Sequence, residues 1–133
     1  MILEELATLL QSAGLGPIIR HALPAQGPSV EGAPPQIALV EMAGRGPVRS
    51  LESPPSRYER PVVVVLTRSA PYGYAAARQK AQDAWEVLDG ISNQTLSGTR
   101  YLWIQALNSV HWIRDDDLAR SILSFDVECA RAL

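Results

Sequence analysis

The sequence predicts an α+β fold, a mostly antiparallel β-sheet flanked by two main helices at about residues 2–13 and 71–89. Three observations predict it. Val62 to Leu66, inside "RYERPVVVVLTR", is apolar on both sides, as in a strand covered on both faces. In "YGYAAARQKAQDAWEVLDG" the apolar period changes from two to 3.6 residues, the mark of a helix lying on a sheet. "SILSFDVECAR" alternates cleanly, with Leu123, Phe125, Val127 and Cys129 on one face and Ser124, Asp126 and Glu128 on a wet one.

The elements follow in order. Ile2, Leu3, Leu6, Leu9, Leu10 and Ala13 recur at helical spacing, and "AGLGP" stops that helix. "IIRHAL" reads as a short strand and the proline-rich "PAQGPSVEGAPP" as an exposed loop. "QIALVEMAG" is a strand, and "GRGPVRSLESPPSR" reads as irregular, giving one domain over residues 1–133 with a long loop at about 43–60. After the Val strand, Tyr74, Ala77, Ala81, Ala84, Trp85 and Leu88 share the buried face of the second helix, which Gly90 ends. "SNQTLSGTR" reads as a polar connection. "RYLWIQALNS" is a strand apolar on both faces, and "HWIRDDDLAR" links it as a hairpin to the last strand.

Composition narrows the function. At 133 residues and 47% hydrophobic the chain is an ordinary globular protein, and its longest wholly apolar run is far shorter than the ~20 residues that a membrane-spanning helix needs. Glu4 and Glu5 stand where a secretory signal carries positive charge, so the amino terminus reads as mature structure. The lone Cys129 reads as a core residue. A net charge of −2 gives no general attraction to nucleic acid. Eleven of the twelve basic residues are Arg, the residue of interfaces, although a GC-rich genome gives the same skew.

Catalytic constellations are scarce. Asp115, Asp116 and Asp117, with His111, form the one acidic group that could serve a small metal-dependent hydrolase, but adjacent aspartates also suit a solvated turn. No nucleophile elbow or phosphate loop occurs. Between Arg45 and Arg68 five arginines stand against Glu52 and Glu59, a segment suited to a passage for DNA, to acidic residues of a neighbouring subunit, or to water.

The succession "YERPVVVVLTR", "YGYAAARQKAQDAWEVLDG", "NQTLSGTRYLWIQALNS", a turn with "RDD" and a closing "FDVE" resembles the small minor capsid or tail-completion proteins of long-tailed bacteriophages, the tail terminator family. The likeness covers about residues 57–128; a Gly and a Pro expected near the turn are replaced by Val110, His111 and Trp112. It implies a virion protein of the head-tail junction, made in the host cytoplasm, that catalyses no reaction and needs no cofactor. Its implied form is a homo-oligomer, a ring of six at the head-proximal end of the tail tube, which stops tube polymerisation and joins the tail to the head-side connector. The implied partners are the tube protein and the connector protein, with DNA passing through the ring without specific binding and no membrane involved. A head-closure or neck protein of the same virion is the neighbouring role. The second face of the apolar strands then meets another copy, with Arg45, Arg49, Tyr58, Arg60, Trp112, Arg114 and Asp115 as the expected interface residues.

Overall fold

The computed structural model describes residues 2–20, 27–49 and 57–132, and the side chains of 43–49 and 57 fall outside that description. Its elements are α1 (Ile2–Ser12), β1 (Ile18–Arg20), β2 (Gln36–Arg49), β3 (Arg57–Pro71), α2 (Tyr74–Leu88), β4 (Ile91–Leu96), β5 (Thr99–Ala106), β6 (His111–Asp115) and β7 (Arg120–Ala132). They form an α+β architecture with one seven-stranded sheet in the order β1-β2-β3-β7-β5-β4, and β6 also pairs with β7. Every pairing is antiparallel except β1 with β2.

Both helices lie on one face. Val63 and Val65 of β3, Leu123, Phe125, Val127 and Cys129 of β7, and Tyr101 and Ile104 of β5 join one core with α1 and the alanine face of α2. Ala77, Ala81 and Ala84 are fully buried, so small side chains let α2 approach the sheet closely. Tyr74 leaves that face and is 45% exposed. The end of α1 is closed by Gly14 at φ 83, with Leu15 N–H donating to the Leu10 carbonyl at 3.2 Å and Gly14 N–H to Gln11 at 3.0 Å. α1 packs on β1 and β2 and also on β4, at opposite edges of the sheet.

A buried polar network ties that helix down. Glu5, only 5% exposed, accepts from Thr99 Oγ1 at 2.9 Å, from the Tyr101 hydroxyl at 3.1 Å and from Arg131 Nη1 at 3.3 Å. Arg131 also pairs with Glu59 of β3. Burial opposes the Arg131 charge, yet the hydrogen bonds to Glu59 and Tyr101 and the Glu59 charge prevail and raise its pKa. Burial likewise pushes the Tyr101 phenol up.

The structure corrects several expectations. The segment expected to be an irregular loop at 43–60 is paired strand over 43–49 of β2 and 57–60 of β3, and residues 50–56 lie outside the described part. Register shifts between Met42 and Arg45 and between Arg45 and Val48 absorb its Gly and Pro as bulges. The polar "ISNQTL" is β4, an edge strand joined to β5 through Ser97 and Gly98, both at positive φ, as in a type I′ hairpin turn. β7 is central, flanked by β3 on one edge and by β5 and β6 on the other, so Ser124 and Glu128 of its expected wet face are 4% and 5% exposed. Arg68, just past the Val run of β3, is buried and donates from Nη2 to Gln36 Oε1 at 2.9 Å.

β5 and β6 run one after the other along the same edge of β7. At the junction Leu107 N–H donates to the Asp126 carbonyl at 2.8 Å, and the Asp126 N–H donates to Asn108 Oδ1 at 2.8 Å. The Asn108 amide thus replaces a strand carbonyl and splices the two segments.

Candidate interaction surface

The β6–β7 hairpin is closed without Gly or Pro. Asp116 Oδ1 accepts from the Leu118 and Arg120 backbone N–H groups at 3.0 Å each, and Oδ2 accepts from Arg120 Nε at 2.7 Å. Burial raises the pKa of this carboxyl, but the two backbone bonds and the Arg120 guanidinium outweigh it and hold it below its ordinary value. Ala119 takes the left-handed position at φ 59 that a three-residue hairpin loop requires. Its carbonyl accepts from the N–H of Tyr72, itself at φ 59, so the hairpin is fastened to the turn before α2.

This end of the molecule exposes several large apolar side chains. Tyr72 is 82% exposed, Trp112 52%, Leu118 51% and Ile113 44%. Tyr74, Trp112, Asp115 and Ser121 line a shallow cleft of about 420 Å³. Inside it Asp115 Oδ1 accepts from Trp112 Nε1 and from Ser121 Oγ, each at 2.9 Å, which leaves Oδ2 without a partner among the described residues. A fixed indole beside a half-used carboxylate suits a cation, above all a guanidinium. Arg114 is exposed on the same strand.

The remaining expected interface residues sit elsewhere. Tyr58 and Arg60 are half-buried near the start of β3, and Arg60 Nε is a buried donor with no partner among the described residues. Arg45 and Arg49 stand in β2 with their Cα atoms opposite Arg60 and Arg57, and Val48 opposite Tyr58. Tyr58 pairs with Ala132 and Trp112 with Leu123 along β7, so the two groups are about 30 Å apart. Sequence reasoning named Trp112, Arg114 and Asp115 here but missed Tyr72, Tyr74, Ile113 and Leu118. A tyrosine directly after Pro71 at the mouth of α2 was the available signal for the first two.

The hydrolase alternative finds both oxygens of Asp116 and one of Asp115 engaged within the hairpin. His111 Nδ1 lies 3.1 Å from the Ser109 carbonyl. Among the described residues no three His, Cys, Asp or Glu side chains gather as a metal site would need. No described helix is long and apolar enough to cross a membrane.

No protein-family model matches the chain, and no curated protein matches it. Among solved structures it is similar to a chain from "Virion of native gene transfer agent (GTA) particle", at TM-score 0.52 and 17% identity, over 96% of this chain and 84% of that one. At that identity the likeness is one of fold, and the fold shared is that of a virion component.

Proposed function

We propose that this chain is a structural protein of a phage-like virion and acts without catalysis. In the finer reading it is a tail terminator, a single domain that assembles into a ring, six copies in the expected form, at the head-proximal end of the tail tube. There it stops tube growth and offers its other side to the head connector. The observation that carries this reading is the fold shared with a gene transfer agent virion chain along nearly the whole length. The exposed Tyr72, Trp112, Ile113 and Leu118 at one end of β7 add support, since each subunit of a ring must offer surface to its neighbours.

The test is to mix the purified chain with tail tube protein and with connector protein from the same particle and image the products. The expected result is rings capping tubes of limited length. Rings that bind only the connector would make it a head-closure or neck protein instead, and monomers under every condition would overturn the ring.

A further inference from the structure

We propose that the Tyr74–Trp112–Asp115 cleft is a recognition site for an arginine side chain carried by another virion protein. This rests on the virion reading and names what meets this end of the chain. The cleft is built by a β-bulge. Trp112 and Asp115 are three residues apart, and strict alternation would turn them to opposite faces of β6. The register shift between Trp112 and Arg114 inserts one extra residue, so Trp112 stands opposite Leu123 and Asp115 opposite Ser121, two β7 residues that share a face. Leu123 belongs to the core under the helices, so indole and carboxylate both turn to the side of α2, whose first residue is Tyr74. Arg114 stands opposite Ile122 and turns to the other face, away from the cleft.

The groups in the cleft select the ligand. The indole is held through Nε1 by Asp115 Oδ1 and is half exposed. Oδ1 also accepts the Ser121 hydroxyl, while Oδ2 has no partner among the described residues. A guanidinium lies flat on an indole face and still points N–H groups at the carboxylate beside it, which a compact ammonium does less well. One carboxylate and one hydroxyl are too few oxygens for a hard metal ion, which takes about six or more. Asp116 is neutralised by Arg120, and Asp117 adds an exposed negative charge on the same hairpin. Within the chain Arg78 is bonded to the Val110 carbonyl, Arg100 to Asn93, and Arg131 to Glu5 and Glu59, so these guanidiniums are already occupied. The net charge of −2 favours a basic partner over a second copy. Tyr72, Ile113 and Leu118, exposed at the same end, give apolar surface to the residues that flank the incoming arginine, which a free cation would not use.

The full chain is titrated with acetyl-Val-Arg-Val-amide and with its lysine, citrulline and glutamate counterparts, and the Trp112 indole N–H is followed by heteronuclear NMR. The arginine peptide should shift that signal to saturation and the lysine peptide should bind more weakly. The citrulline peptide, similar in shape but uncharged, should leave the signal in place. Asparagine keeps the acceptor for Trp112 and Ser121, so Asp115→Asn removes charge and leaves the hairpin bonded. That substitution should weaken the arginine peptide about fivefold, as loss of a favourable exposed ion pair does. Equal binding of the citrulline peptide, tighter binding of the glutamate peptide, or no shift with any peptide would overturn the site and leave the virion reading standing. A signal that moves with protein concentration alone and resists the peptide would assign the cleft to a second copy and overturn the foreign partner. Sedimentation with tail tube protein and with connector protein from the same particle tests the source. Whichever binds wild type should lose about fivefold in affinity with Asp115→Asn, and equal binding of both forms would overturn the assignment. Binding of neither would count against the virion reading, while the peptide titration still decides the cleft.

Discussion

The Glu5 carboxylate, in the first turn of α1, receives the Tyr101 hydroxyl of β5 at 3.1 Å across 96 residues of sequence. With Thr99 and Arg131 on its other oxygen, this acid holds the first helix against two strands. Glu5→Ala should cost about 2–4 kcal/mol, because it leaves buried donors without an acceptor. Urea denaturation reads the loss, and Tyr101→Phe should cost less because only one bond goes.

Asp116 makes the hairpin sensitive to acid. Its folded pKa lies below the ordinary 3.8, so its stabilising contribution is present in full above that value and is lost as pH falls through the folded pKa. Urea midpoints measured from about pH 5 to 2 should fall for wild type more steeply than for Asp116→Asn.

Ala119 holds φ 59, a conformation that suits glycine better. Ala119→Gly should raise stability by up to about 1 kcal/mol with the Tyr72 hydrogen bond intact. A lower melting temperature would mean that the methyl group is needed at this turn.

Burial pushes the Cys129 thiol up to about 12, despite the nearby Arg131 charge. Little thiolate exists at neutral pH, so native protein should resist a thiol reagent and react at once in denaturant. Following the reaction by absorbance decides it.

Trp112 is half exposed and sits on an edge strand. Trp112→Ala should change stability by less than about 1 kcal/mol yet weaken partner binding, as expected of a contact residue. Unchanged association in sedimentation would remove Trp112 from the interface.

Periodicity made β3, α2 and β7 legible, because each repeats one face over many residues. Leu123, Phe125, Val127 and Cys129 share the core side as the alternation implies. Depth was less legible: Ser124 and Glu128 are buried by neighbouring strands that no local pattern reports. On β5 a bulge brings Tyr101 and Ile104 to the same side, because Tyr101 pairs with Arg131 and Trp103 with Ala130. Strict alternation places them on opposite sides. β4 escaped because an edge strand keeps its polar side chains in water, although Ser97-Gly98 signalled the turn. For the candidate surface, Trp112 and Asp115 stood out as residue types. Tyr72 and Tyr74 depend on a backbone junction between segments far apart in sequence.

β7 joins strands that all precede it, with β3 on one side and β5 and β6 on the other. As the ribosome releases the chain, those earlier hairpins must wait with bare edges for the segment that locks them together. Nascent copies crowded on one messenger are therefore exposed to mispairing until residue 132 emerges, and slowing translation just after β6 should lower the soluble yield.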